Sequence, residues 1–223
     1  MAAHSLCRIE LFGGLRVQQG ERVITRFPTR KVASLLAYLA SYPQQAHPRE
    51  ALIDLFWQES VLQAGRASLS QALSTLRRQI EPPGIPAGSV LVTTGTEVRL
   101  NPEALTTDLA DFERFLQRAR TTQSSMERAQ SLQQAVALYR GEFLPGFYEE
   151  WALTEQRRLA ALCLQAARDL SSHFKSAGDL PPAIEYARQA VSLDPLEEEA
   201  HRELMGLYAA AGQTAAALSR TCR

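Results

Sequence analysis

The amino-acid sequence predicts a mostly α-helical protein with a small β component. Three observations support this fold class: the first 102 residues place strand-like segments around three amphipathic helices, everything after Leu105 has helical patterning, and part of that second half repeats with a period of 34 residues. A chain of 223 residues is long enough for two domains of ordinary size. We therefore predict one domain over residues 1–102 and an all-α domain over residues 103–223.

The N-terminal segment predicts a small antiparallel sheet. Ile9 and Leu11 alternate with Arg8 and Glu10, as expected for a strand with one buried face. The pair Gly13-Gly14 then interrupts the pattern, and short apolar segments at 15–17 and 23–24 complete the expected sheet.

Two helices are predicted next. Thr29 fits the N-cap position of the first, whose apolar residues share one face until Pro43 ends it. His47-Pro48 is predicted to open the second, because proline is favoured at the first helical position. A loop from Gln58 to Gly65 is expected to lead to the third helix.

The third predicted helix covers residues 66–81 and is the element around which the first domain is organised. Its apolar residues recur at spacings of four, three and four, at Leu69, Leu73, Leu76 and Ile80. The other side has no acidic residue and is rich in hydrogen-bond donors that suit base edges and phosphates. An ordinary surface helix would show a similar pattern. The candidate DNA contacts on this helix are Arg66, Ser70, Gln71, Ser74, Thr75, Arg77 and Arg78, with Arg77 expected to read a guanine edge.

A hairpin is predicted over residues 89–100, after a proline-rich break, with its turn at Thr94, Gly95 and Thr96. The order of sheet, three helices and hairpin is that of a winged helix-turn-helix, which presents its last helix to the major groove and its hairpin to the adjacent backbone. Further candidate DNA contacts are therefore Thr94, Thr96 and Arg99 on the hairpin, with Arg30 and Lys31 at the start of the first helix as phosphate contacts.

The second half predicts helices at 109–120 and 131–140, a connection rich in glycine, proline and aromatic residues, and a long helix from about 151 to 177. The 34-residue period, which is that of tetratricopeptide repeats, relates two sets of residues. These are Leu170, Phe174, Gly178 and Ala183 in the first copy, and Leu204, Tyr208, Gly212 and Ala217 in the second. The aromatic residues of the connection lie near turns with little positive charge, so they are expected to pack in a core rather than stack on bases.

Composition constrains the function classes. Residues 1–100 hold 11 Lys/Arg against 7 Asp/Glu, whereas residues 101–223 hold 13 against 17, so the donor-rich helix lies in the more positive half. The three cysteines are far apart and form no CxxC pair, which predicts neither a disulfide framework nor a zinc site and favours a reducing cytoplasm. No apolar run approaches the length that spans a bilayer.

Two other function classes compete with DNA binding. An enzyme is disfavoured because the four histidines have no metal-ligand spacing and no phosphate-binding glycine loop is present, so no catalytic residue, cofactor or metal is predicted. The acidic run 197–199 could suggest a metal site, but it follows Asp194-Pro195 at a helix start, where acids favour the helix dipole. A tetratricopeptide-type scaffold with an N-terminal domain that does not bind DNA remains the alternative.

The sequence also resembles a known family, bacterial transcriptional activators of the Streptomyces antibiotic regulatory protein type. Such proteins join an OmpR-like winged helix to a bacterial transcriptional activation domain. The resemblance is carried by LFGGLRV, by TRKVASLLAYLASYP leading to HPREALIDLFW, by RASLSQALSTLRRQI, and by AVALYRGEFLPGFYEEWALTEQRRL with its LDPLEEEAHRELMGLYAAAGQ sequel.

The family implies an activator that binds direct repeats in double-stranded promoter DNA and recruits RNA polymerase holoenzyme. By the same resemblance, the loop from Gln58 to Gly65 is expected to face the polymerase. A single winged helix reads few base pairs, so we expect a second copy of the protein beside the first on DNA, and a largely monomeric protein without DNA.

Overall fold

The computed structural model describes residues 7–58, 61–81 and 84–212, and it divides them into two units. The first unit contains the described residues up to Ala110 together with the segment Leu144–Ala152. The second contains Asp111–Phe143 and the described residues from Leu153 onward. The predicted fold class, mostly α with a small β component, is confirmed.

Within the described residues, the first unit contains all seven strands and three complete helices. In chain order they are β1 Cys7–Glu10, β2 Arg16–Gln19, β3 Arg22–Ile24, α1 Arg30–Ser41, β4 His47–Pro48, α2 Arg49–Phe56, α3 Leu62–Ile80, β5 Leu91–Thr93, β6 Glu97–Leu100 and β7 Leu105–Thr107.

The N-terminal sheet has the order β3-β2-β1-β7. The antiparallel pairing of β1 with β2 and of β2 with β3 confirms the predicted small antiparallel sheet. The parallel strand β7 was not predicted, and the expectation that everything after Leu105 is helical is wrong for Leu105–Thr107. Three residues are too few for their alternation to be recognised, and it is the pairing with β1 that keeps them extended.

Helices α1, α2 and α3 enclose the core of the first unit. The predicted N-cap is confirmed, because the hydroxyl of Thr29 accepts a hydrogen bond from the amide of Val32 at 3.2 Å. The apolar stripe of α3 is buried as predicted, at Leu69, Leu73, Leu76 and Ile80. This burial determines which side of α3 is left for solvent.

A second sheet, of order β4-β6-β5, contains the predicted hairpin. The hairpin is confirmed, but His47-Pro48 does not open a helix. These two residues instead form β4, which pairs with Val98 and Glu97 of β6, and α2 begins at Arg49. The ring of His47 is buried, and this burial lowers its pKa.

Helix α3 begins at Leu62, four residues before its predicted start, so the expected loop Gln58–Gly65 is shorter than predicted. The misleading residue is Gly65, which suggests a loop in the sequence but lies inside α3 and is buried. A Cβ atom placed there would lie 2.6 Å from Cγ2 of Ile53 in α2. The glycine is therefore required for the close approach of the two helices.

We expect Gly65→Ala to lower the free energy of unfolding of the first unit by about 1–3 kcal/mol, because overpacking outweighs the gain in helix propensity. Both tryptophans of the chain, Trp57 and Trp151, lie in this unit, so their fluorescence during chemical denaturation measures the effect. Adding Ile53→Leu, which removes the branched methyl, should restore stability. The matched control is Gly206→Ala in a later helix, where nothing lies within 4 Å of the added atom. An unchanged tryptophan midpoint in Gly65→Ala would contradict this account.

The other five helices of the described residues lie wholly or mainly in the second unit. They are α4 Asp108–Thr121, α5 Ser125–Leu138, α6 Glu150–Ser176, α7 Leu180–Leu193 and α8 Glu198–Ala210, and the first three residues of α4 and of α6 belong to the first unit. The long helix α6 is confirmed, while α5 begins six residues before its predicted start at 131.

The repeat is visible in the turns. Gly178 and Gly212, which are 34 residues apart, both have the left-handed backbone conformation, with φ of 77° and 71°. Leu170, Leu204 and Tyr208 are buried as the repeat requires, whereas Ala217 lies outside the described residues.

The acidic run at the start of α8 has a structural role. Glu197 and Glu199 form ion pairs with Arg168 of α6 at 2.9 and 2.8 Å, and Glu203 adds a third at 3.0 Å. These contacts attach α8 to α6. Within the described residues, no group of three or more His, Cys, Asp and Glu side chains could hold a metal ion.

Two further properties of the described residues concern the cysteine thiols and the length of the apolar helices. Burial raises the pKa of both Cys7 and Cys163 to about 12, so their thiols stay protonated at neutral pH. None of the described helices is both long and apolar enough to cross a membrane.

Candidate nucleic-acid interface

The polar side of α3 consists of two rows of residues. Helical geometry places Gln71, Ser74, Thr75 and Arg78 on the side opposite the buried stripe, and we call these four residues the outer row. The remaining three candidates, Arg66, Ser70 and Arg77, lie on the flank of the helix that faces the hairpin, and we call them the flank row.

The outer row is available to a ligand. Gln71, Ser74 and Arg78 are exposed and Thr75 is half-buried. Together they offer amide, hydroxyl and guanidinium donors without an acidic neighbour on the row. This set can form hydrogen bonds with base edges and phosphates.

Arg77 does not have the predicted environment. Its Nη2 donates to the carbonyl of Leu91 at 3.1 Å and to Oγ1 of Thr93 at 2.8 Å, both on β5. Its Nε lies 3.3 Å from Oε2 of Glu81. The expectation that Arg77 points away from the core is therefore wrong, since its guanidinium attaches α3 to the hairpin, and we no longer propose Arg77 as the guanine contact.

Glu81 is a structural residue that the sequence analysis missed. Its side chain is only 1% exposed, and its carboxylate accepts hydrogen bonds from the amides of Val90, Leu91 and Gly88 at 2.7, 2.8 and 3.0 Å. With Arg77, this carboxylate fixes the start of the hairpin against the end of α3. An acidic residue beside two prolines gives no such signal in the sequence.

A groove of about 770 Å³ lies between the start of α2, the flank of α3 and the tip of the hairpin. Its charged lining residues are Arg49, Arg66 and Glu50. Nη2 of Arg49 donates to Oγ of Ser70 at 3.0 Å, and Nη2 of Arg66 lies 3.0 Å from Oε1 of Glu50. Arg49 was not predicted as a contact, because its expected place inside a helix gave it no relation to the hairpin.

The hairpin tip supplies the other wall of the groove through Thr94, Gly95 and Thr96. The hydroxyl of Thr94 accepts hydrogen bonds from the amides of Thr96 and Glu97, at 3.3 and 2.9 Å, so it builds the turn. Arg99 is exposed on β6. Arg99 and Thr96 therefore remain candidates for side-chain contacts with DNA. The hydroxyl of Thr94 instead stabilises the turn of the hairpin.

The two candidates on α1 differ. Arg30 donates to the carbonyl of Gly146, lies 3.8 Å from the carboxylate of Glu149, and stacks over the rings of Phe147 and Tyr148 at 5.3 and 5.6 Å. We therefore remove Arg30 from the candidate phosphate contacts, because it holds the segment Leu144–Ala152. Lys31 is exposed and remains a candidate.

The fold and this surface define a class, that of winged-helix proteins with an appended helical repeat unit. Comparisons with known proteins agree. Residues 107–220 match the family described as bacterial transcriptional activator domain, and residues 27–95 match the family described as transcriptional regulatory protein, C terminal. The chain therefore belongs to the bacterial transcriptional activator domain family, in the arrangement of the Streptomyces antibiotic regulatory protein type.

A solved structure has the same fold. It is that of Mycobacterium tuberculosis EmbR in complex with a low affinity phosphopeptide, with a TM-score of 0.76 and 21% sequence identity. The match covers 96% of this chain and 57% of the EmbR chain, so this chain spans little more than half of that protein. A comparison with curated protein sequences found no match.

Proposed function

We propose that this protein is a sequence-specific DNA-binding transcriptional activator, which binds direct repeats in promoter DNA and recruits RNA polymerase holoenzyme. The observation that carries the proposal is the outer row of α3, an exposed and acid-free set of donors beside a hairpin. In a winged helix this row enters the major groove, with the hairpin on the adjacent backbone. In this proposal residues 1–102 bind DNA and residues 103–223 activate transcription.

The proposed contacts fall into two kinds. Gln71, Ser74, Thr75 and Arg78 read base edges, and they determine the sequence preference. The second kind holds phosphates and positions the domain without conferring preference. Its members are Arg49, Arg66, Ser70, Thr96, Arg99 and Lys31.

The polymerase is proposed to meet the connection between α2 and α3. Val61, at the end of this connection, is an apolar side chain that is 79% exposed. Val61 is therefore available to a protein partner, and the proposed contact itself rests on the resemblance to OmpR-like domains. The acidic balance of residues 101–223 suits a basic surface of the polymerase or of a neighbouring copy better than it suits DNA.

Footprinting over genomic promoter fragments of the source organism tests the proposal. We expect protection of two adjacent direct repeats, and an affinity that falls linearly with the logarithm of the salt concentration. Sizing runs should show monomers in free solution and two copies on the repeat. A protein without salt-sensitive DNA affinity would instead support the alternative of a tetratricopeptide-type scaffold.

A further inference from the structure

The groove between α2, α3 and the hairpin contains one carboxylate among its basic residues. Arg49 and Arg66 supply two positive charges, and the remaining lining residues other than Glu50 are uncharged. Glu50 lies in the first turn of α2 and pairs with Arg66 at 3.0 Å. Both side chains are exposed, at 72% for Glu50 and 59% for Arg66.

The position of this carboxylate is unfavourable for binding an anion. In a duplex bound by a winged helix, the strand between the major groove and the wing passes between the recognition helix and the hairpin. In the proposed DNA complex that path follows this groove, which is lined by residues of α3 and by residues 94–96. A phosphate there is attracted by Arg49 and Arg66 but repelled by Glu50, and Arg66 already has a partner.

We propose that Glu50 limits the DNA affinity of this protein by holding Arg66 in an ion pair that must exchange for a phosphate contact. The inference rests on the proposed DNA binding and adds a regulatory residue to it. In free protein Glu50 neutralises Arg66, and on DNA the phosphate replaces the carboxylate as the partner. The exchange weakens binding to every sequence alike, because phosphates carry no sequence information. The protein thus remains dissociable from DNA at which the outer row makes no specific contacts.

Glu50→Gln tests this proposal through a gain in affinity. We expect the full chain to bind a labelled random-sequence duplex about two- to fivefold more tightly at low salt, the size typical of one exposed ion pair. The slope of the salt dependence should change little, since Arg66 contacts a phosphate in both complexes and the number of neutralised phosphates is the same. Fluorescence anisotropy across a salt series measures both quantities.

The matched control is Asp54→Asn, which makes the same charge change one turn further along α2 at an exposed position outside the groove lining. It should leave the affinity nearly unchanged. An equal gain in both variants would overturn the proposal, because the effect would then be one of net charge. Unchanged affinity of Glu50→Gln would also overturn it, and weaker binding would make Glu50 a positioning residue that presents Arg66 to DNA.

A double variant identifies the cation. In an Arg66→Ala background, the gain from Glu50→Gln should be lost, because no cation remains to be released. A full gain in that background would overturn the assignment of Arg66. The parent protein in the same assay separates this inference from the proposed function: if the parent does not bind DNA, the function is wrong, and if the parent binds while Glu50→Gln gains nothing, only the inference is wrong.

Discussion

Replacing Glu81 with alanine should lower the free energy of unfolding of the first unit by about 3–5 kcal/mol. The substitution leaves the amides of Val90 and Leu91 without their acceptor in a buried environment, and it removes the carboxylate that pairs with Arg77. Tryptophan fluorescence during chemical denaturation reports this unit, because both tryptophans lie within it. We expect the midpoint to move to a much lower denaturant concentration.

Two further variants make this prediction specific. Glu81→Gln retains one acceptor oxygen and the side-chain volume, so it should be intermediate and remain measurable if the alanine variant does not fold. Glu97→Ala removes an exposed carboxylate from the hairpin and should change stability by less than about 0.5 kcal/mol. Equal midpoints for Glu81→Ala and Glu97→Ala would refute the role assigned to Glu81.

Replacing Arg78 with alanine should weaken binding to the footprinted promoter site by about 1–3 kcal/mol, which is roughly a fivefold to 150-fold loss. Arg78 is exposed on the outer row, so the first unit should keep its tryptophan midpoint. On a random-sequence duplex the loss should be much smaller, because a guanine contact contributes only at the specific site. Fluorescence anisotropy on the two duplexes gives the comparison.

Arg99→Ala and Arg202→Ala are the control variants for Arg78→Ala. Arg99→Ala should weaken binding to both duplexes alike and lower the salt slope by about one unit, as expected for a phosphate contact. Arg202→Ala makes the same charge change at an exposed position in the second unit, and it should alter neither affinity. An equal loss on both duplexes for Arg78→Ala would reassign Arg78 to phosphate binding.

The neighbours Arg77 and Arg78 show what a helical pattern in the sequence cannot predict, namely which exposed-looking side chain has a partner on another element. Both were predicted to contact DNA, because the helical pattern excludes them from the buried stripe of Leu69, Leu73 and Leu76. Adjacent residues on a helix point in directions about 100° apart. Arg77 therefore faces the hairpin and Arg78 faces solvent, but the sequence could not show that the hairpin lies on that flank.

Arg30 and Gly65 show the same limit. The partners of Arg30 come from residues 146–149, more than a hundred positions further along the chain, and no local pattern relates the two segments. Gly65 was assigned to a loop because glycine is unfavourable inside helices. A glycine is needed at this position because the side chain of Ile53 on α2 leaves no room for a Cβ atom.

Local patterns in the sequence are enough to predict the fold class, the N-cap of α1, the buried face of α3, the hairpin and the 34-residue repeat. Each depends on residues close together in the chain, where spacing and backbone preference act directly. Packing of the elements against one another is needed to show that Arg77 and Arg30 have partners within the protein, that Arg49 lines a groove with Arg66 and Glu50, and that Glu81 anchors the hairpin. These assignments depend on distances between elements, because a charged side chain takes its role from the groups that packing brings within hydrogen-bonding reach.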